Sequence, residues 1–327
     1  MPFDRRNFLK SSLTGIAGIG AVPLLGNLAG CQTAPAGGAG TAAAPQKSKI
    51  LPARALPTAK VTERISVISG APGNVLVLNS GDGVMLVDSG APELAASVQK
   101  TLAGAHVHTL FNTHYHADQT GGNALFGKEG AVIHAQTITR EWLAADYYVP
   151  AEDRWVRKPP KEAVPTVTFR KQGEMKAGPE SIEFGYLLEA HTRGDAYVYF
   201  RDSNVLATGC VVSPVRDPSI DWYAGAWLGG RADAMDTLVA VANEQTRVVP
   251  AYGPVMSYAE LKAEADLMKR LYDLTADLVH HGHSAEDMMN DQVMDKVGRK
   301  FQDPFKFLYD VCKGFQAHYT NFGGNVV

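Results

Sequence analysis

One stretch constrains this 327-residue chain more than any other. It runs His106-Val107-His108-Thr109-Leu110-Phe111, then Asn112-Thr113-His114-Tyr115-His116-Ala117-Asp118-Gln119-Thr120-Gly121-Gly122-Asn123. The first six residues alternate polar and apolar, the period of a half-buried strand. Two histidines two apart follow, then a carboxylate two further on, then Gly-Gly. The cluster therefore sits where a strand gives way to a loop, a place where a rigid scaffold presents ligands. Neutral imidazole nitrogens beside a carboxylate oxygen suit Zn²⁺ or Fe²⁺. A polar loop with two chance histidines is the plainer explanation of the same letters.

Strands surround this stretch. Val61–Ser69 alternates weakly, Asn74–Leu78 is an apolar run, and Gly81-Asp82-Gly83 turns into Val84–Val87. These read as three strands with tight connections. Asp88-Ser89-Gly90 closes the third, and Ala91–Ala103 follows as an amphipathic helix. Ala131–His134 reads as a strand and Gln136–Ala145 as a helix, before a long loop over 146–165 with Tyr147, Tyr148 and Trp155. Long loops of such composition often wall a substrate site. A second series of strands spans Thr166–Phe169, Ser181–Glu189, Ala196–Phe200 and Val205–Thr208, and Gly209-Cys210 follows directly. Ala232–Glu244 reads as a helix and Arg247–Pro250 as a last strand. Ser257 with Glu260 three residues on is a capping box opening the C-terminal helices. His280, His281 and His283 fall at a helix terminus, and Cys312 lies on an amphipathic helix where a core role is expected. Two similar halves of strands and helices predict an α/β layered sandwich.

The N-terminus predicts export. Asp4-Arg5-Arg6-Asn7-Phe8-Leu9-Lys10 resembles a twin-arginine signal, followed by a mildly apolar segment too short and Gly-rich to read as a membrane span. Leu28-Ala29-Gly30-Cys31 resembles the lipobox of bacterial lipoproteins, which implies lipidation of Cys31. The expected organisation is a signal over 1–30, a lipidated Cys31 and flexible linker over 31–57, a main domain over 58–256, and C-terminal helices over 257–327. The expected location is the periplasmic side of a bacterial membrane, lipid-anchored through Cys31. A formal charge of −3 gives no reason to expect nucleic acid as a partner.

The order of motifs resembles the metallo-β-lactamase superfamily. Asp88 follows a buried strand, His114-x-His116-x-Asp118 comes next, His191 lies in His-Thr-x-Gly-Asp, and a Gly-Pro turn precedes the final helices. The resemblance spans about residues 60–260. It implies a four-layer αβ/βα sandwich, here with a C-terminal helical extension, and a hydrolase of small molecules. Position by position, it implies a first metal site of His114, His116 and His191, with zinc as the usual ion and iron in a minority branch.

The implied second site departs from the family pattern at Gln119, Cys210 and Tyr252. A Gln amide is a weak donor, and Tyr binds metal well only as phenolate, from an ordinary pKa of about 10. Thiolate is a good zinc ligand, so Cys210 reads either as a metal ligand beside Asp118 or as a plain buried residue. The expected reaction is hydrolysis of an ester, thioester, lactone or lactam by a hydroxide on a single Zn²⁺. Asp118 then orients the water or takes its proton, while Tyr252 and Gln119 donate to the developing oxyanion. Trp155, Trp222, Tyr223 and Trp227 are expected on loops bordering the cleft, with core packing as their other reading. The competing function is a non-catalytic envelope lipoprotein that keeps the fold for binding.

Overall fold

The computed structural model describes residues 52–149 and 153–322. Two sheets form the frame. The first holds β1 (Thr58–Lys60), β2 (Ile65–Ile68), β3 (Val75–Asn79), β4 (Val84–Val87), β5 (Val107–Asn112), β6 (Val132–Gln136) and, after a small hairpin of β7 (Tyr147–Val149) and β8 (Arg154–Val156), β9 (Val167–Phe169). Its strand order is β1-β2-β3-β4-β5-β6-β9. The second sheet runs in chain order: β10 (Gln172–Ala177), β11 (Glu180–Leu187), β12 (Asp195–Phe200), β13 (Val205–Gly209), β14 (Arg247–Pro250) and β15 (Met256–Ser257). The helices are α1 (Ala95–Thr101), α2 (Ala117–Thr120), α3 (Asn123–Lys128), α4 (Thr137–Ala144), α5 (Leu228–Val241), α6 (Tyr258–His280), α7 (Ala285–Asn290) and α8 (Pro304–Phe322).

The four layers follow from side-chain alternation, because successive residues of a strand face opposite sides of its sheet. Leu76 and Leu78 of β3, with Met85 and Val87 of β4, face the second sheet, whose Val198, Phe200, Val205 and Ala207 face back. The residues between them, Val75, Val77, Val84 and Leu86, pack outward with Val98 of α1 and Phe126 of α3. On the far side Tyr197, Tyr199 and Leu206 pack against Leu238 of α5, Leu271 of α6 and Val311 of α8. Each strand thus builds two cores at once, the pattern of sheets buried on both faces. The expected four-layer sandwich with a C-terminal helical extension is the architecture found.

Several local expectations need correction. The stretch 146–165 is not an irregular loop, since it forms the β7–β8 hairpin and a 3₁₀ turn over Lys161–Ala163. Strand β10 escaped notice because it is an edge strand whose residues alternate exposed and half-buried through Glu174 and Lys176, the charged composition that protects edges. Helix α5 starts at Leu228, four residues earlier than expected, because Gly229 and Gly230 lie inside it. A Cβ on Gly230 would stand 2.5 Å from the Glu189 carbonyl, so glycine serves close packing there instead of marking a loop. Leu56, inside the stretch read as linker, is buried, and its N–H donates to Thr101 Oγ1 at 2.8 Å. The twin-arginine stretch and Cys31 lie outside the described residues.

Candidate metal centre

Two parallel strands deliver the first ligand candidates. β4 and β5 are paired side by side, so Asp88 at the end of one meets Thr113 at the end of the other. Asp88 Oδ1 accepts from the Thr113 N–H and Oδ2 from its hydroxyl, both at 2.8 Å. Burial pushes Asp88 up to about 7, against the lowering pull of the Thr113 bonds. That clamp fixes the backbone from which His114 projects. His116 then takes an extended conformation at the N-cap of α2, and Asp118 falls in the first helical turn. Across the cleft, Asp195 of β12 accepts from the N–H groups of His191 and Thr192, each at 2.7 Å, and so pins the loop that carries His191.

The three imidazoles converge. Their ring centroids stand 4.8, 4.8 and 4.9 Å apart with planes nearly perpendicular. An outer partner holds each ring. His114 Nδ1 lies 3.1 Å from Thr113 Oγ1, whose single proton already goes to Asp88, so Nδ1–H donates. His191 Nδ1 donates to the Ser219 carbonyl at 3.0 Å, and His116 Nε2 donates to Asp221 Oδ2 at 2.9 Å. Each outer bond assigns a tautomer. The inner nitrogens are therefore bare lone pairs: His114 Nε2, His116 Nδ1 and His191 Nε2.

That arrangement suits a cation. His114 Nε2 is buried with no hydrogen-bond partner. His191 Nε2 and His116 Nδ1 face each other at 3.1 Å, a contact that either a proton on His116 or a shared cation can bridge. Burial pushes His114 and His191 well down from the ordinary imidazole range, so both are neutral, the form that binds metal. Burial also disfavours His116⁺, yet the hydrogen bond and charge of Asp221 outweigh it and raise that ring.

The remaining candidates lie beside this triad. Nitrogen of His114 and His191 and the Cys210 sulfur fall within 4.8 Å of one another, as do atoms of His114, His116 and Asp118. Gly209 places Cys210: its φ is +57°, and a Cβ there would stand 2.6 Å from Thr113 Oγ1. Burial, then the charges of Asp118 and Asp88, push the Cys210 thiol well up. Tyr252 and Gln119, expected as donors to a developing oxyanion, here both turn to Asp118, and Gln119 Nε2 also lies 3.4 Å from the Tyr252 hydroxyl. The Tyr252 hydroxyl donates to Asp118 Oδ2, and Gln119 Nε2 donates to the same oxygen at 3.2 Å. Burial and the Asp118 bond push the Tyr252 phenol up, so it stays protonated and remains a donor.

Other residues that carry the site had no sequence signal strong enough to find them. Asp221 also accepts from the Tyr115 hydroxyl, and sits in the irregular segment between Cys210 and α5. Its one visible cue was an acid beside Trp222 and Tyr223. Arg231 is fully buried and donates to the carbonyls of Ser219 and Cys210, both at 2.7 Å, tying that segment to α5. Burial lowers Arg231 to about 10, which leaves it charged at neutral pH. A cavity of about 260 Å³ borders His116 and His191 and is walled by Trp222, Tyr223 and, from α8, Lys306 and Asp310. Trp222 and Tyr223 thus border the site as expected. Trp227 does not: it stacks on His318 at 3.7 Å within the helical layer. Trp155 lies on the β7–β8 hairpin and is 60% exposed.

Comparison with known proteins identifies the family. The sequence model of the metallo-beta-lactamase superfamily matches residues 68–252. The chain is 28% identical over 203 residues to a metallo-beta-lactamase type 2 of Bacillus cereus, covering 61% of this chain and 73% of that one. It is equally similar to the type 2 enzyme of Bacillus sp. (strain 170). Among solved structures, a metallo-beta-lactamase from Pontibacter korlensis superposes with a TM-score of 0.53 at 20% identity, covering 65% of this chain and 99% of that one. The DIM-1 metallo-beta-lactamase gives 0.52 at 20% identity, over 66% and 97% of the two chains. These likenesses show the fold, and the matched sequence shows the family. The chain belongs to the metallo-beta-lactamase superfamily, whose membership supports a metal-dependent hydrolase.

Proposed function

We propose that this protein hydrolyses an ester, thioester, lactone or lactam of a small molecule at a single zinc ion held by His114, His116 and His191. The observation that carries the reading is the set of three inward lone pairs, each tautomer fixed by a separate outer partner. When bound, zinc on three imidazoles keeps one position open, brings the pKa of water there to about 7 and polarises a carbonyl oxygen. The chain's own residues supply the rest. Asp118 receives both Tyr252 and Gln119 on Oδ2, which aims the carboxylate and leaves Oδ1 to hold a water or take its proton. That same lock supports a single ion, because it ties Asp118 to two neutral donors where the family's second metal would need it. The cavity beside His116 and His191 receives the substrate. Turnover of one representative of each of the four substrate classes, by the wild type and by His116→Ala, tests the reading. Turnover that disappears with His116 supports it, and turnover that persists refutes the site. Zinc binding with no turnover of any class favours the binding-protein reading instead.

We also propose that the chain is exported and anchored through lipidated Cys31 on the periplasmic side of a bacterial membrane. The lipobox-like Leu28-Ala29-Gly30-Cys31 supports this. Mass spectrometry of the mature N-terminus tests it: an acylated Cys31 is expected, and a mature chain with an unmodified Cys31 would contradict the anchor.

A further inference from the structure

A second, larger cavity of about 830 Å³ lies between α4, the turn at 222–225 and α8. That is the size of a site for a drug-like molecule. Trp222 and Tyr223 belong to the walls of both cavities, so the larger one adjoins the space beside His116 and His191 across these two rings. Its outer wall is one face of α8, formed by Lys313, Gln316, Ala317 and Thr320 at the i, i+3, i+4, i+7 spacing. This helix lies outside residues 68–252, the part that matches the family.

The lining has a definite chemistry. Trp142 is stacked on Tyr115 at 4.8 Å with planes 15° apart, and Tyr115 sits between His114 and His116 in sequence. Trp222 and Tyr223 meet edge to face at 5.8 Å, and Trp142 meets Tyr223 at 6.5 Å. These contacts hold the rings in place before any ligand arrives, which lowers the entropy cost of binding one. Two cations, Arg193 and Lys313, stand against one carboxylate, Glu141. Gly225 has φ +88°, and a Cβ there would stand 3.0 Å from Arg193 Cδ, so glycine lets the arginine stem lie along the turn. Arg193 Nε is 3.7 Å from Glu189. Lys313 lies 5.5 Å from the Tyr309 ring centroid, within reach of the cavity from the α8 side.

We propose that this cavity binds a planar, ring-bearing carboxylate, the aromatic rings stacking on its flat part and Lys313 and Arg193 pairing with its charge. Its role as the site for the unreacted portion of the substrate rests on the hydrolase reading above, whereas binding itself is measured apart from turnover. The probes are 2-naphthoate, its neutral carboxamide and acetate, titrated calorimetrically against the zinc-loaded protein. The expected result is saturable binding of 2-naphthoate, at least tenfold weaker binding of the carboxamide, and none of acetate. Lys313→Glu is expected to weaken 2-naphthoate at least tenfold, and His116→Ala to leave its binding intact. No saturable binding, equal binding of the carboxamide, or loss of binding in His116→Ala would overturn the proposal, the last because the probe would then sit on the metal. Lys313→Glu melts like the wild type if the fold is retained. Should it unfold, Lys313→Gln gives the same comparison with a smaller expected loss. Absence of ester turnover would count against the hydrolase reading alone and leave the binding result standing.

Discussion

Asp221→Asn tests the way the outer contacts fix the inner ligands. Asp221 is buried, 2.9 Å from His116 Nε2, and also receives the Tyr115 hydroxyl. Asparagine keeps the shape and one acceptor oxygen but loses the charge. The hydrogen bond to Asp221 and then its charge carry His116 above its ordinary range despite burial, and a charged acceptor makes that imidazole a stronger donor of its inner lone pair. Removing an outer partner of this kind costs about 10- to 100-fold in metal affinity, or roughly 1.4–2.8 kcal/mol. Competition with a chromogenic chelator measures zinc affinity, and urea unfolding of the zinc-free protein measures the structural share separately. The expected result is a zinc affinity weaker by at least tenfold, beyond whatever stability the zinc-free variant loses. A zinc affinity within twofold of wild type would refute the idea that Asp221 sets the His116 tautomer and basicity.

Tyr252→Phe removes a charge-assisted hydrogen bond of about 1.5–3 kcal/mol from Asp118, so steady-state assays should show kcat down by at least tenfold with zinc content unchanged. A second zinc equivalent in that variant would instead show that Tyr252 keeps another ion out. Phe200→Ala empties a fully buried position between the two sheets and should cost about 3–5 kcal/mol in urea unfolding. A loss under 1 kcal/mol would mean that the inter-sheet layer collapses into the space. His134 stacks on Phe111 at 4.7 Å, and burial lowers its pKa from the ordinary value. Below 6.5 the unfolded chain therefore binds this proton more readily than the fold does, and stability falls as pH drops through that range. His134→Gln should flatten that decline between pH 7.5 and 5.5, and an unchanged slope would assign it to other groups.

The fold was readable because the strands obey a period of two. Leu76 and Leu78 against Val75 and Val77 already divide one core from the other, and Ser257 with Glu260 marked the start of α6, where the capping box is present. The metal-capable histidines were readable because a strand end and a fixed spacing put them together. What the letters hid was how each imidazole is held. Asp221 and Ser219 reach the site from a segment without periodicity, tied down by Arg231, twelve residues after Ser219, through the Ser219 carbonyl. Tyr252 and Gln119 were recognisable as departures from a pattern, but only the structure shows that both donate to Asp118. The hairpin at 147–156 was masked by Pro150 and its charges, and α5 by two glycines that packing requires.

The zinc content of the purified protein and of its His116→Ala variant, measured by elemental analysis after dialysis, tests the single-ion site most directly. One zinc per wild-type chain is expected, and none retained by the variant. Two tightly held ions in the wild type, or one that survives the loss of His116, would contradict it.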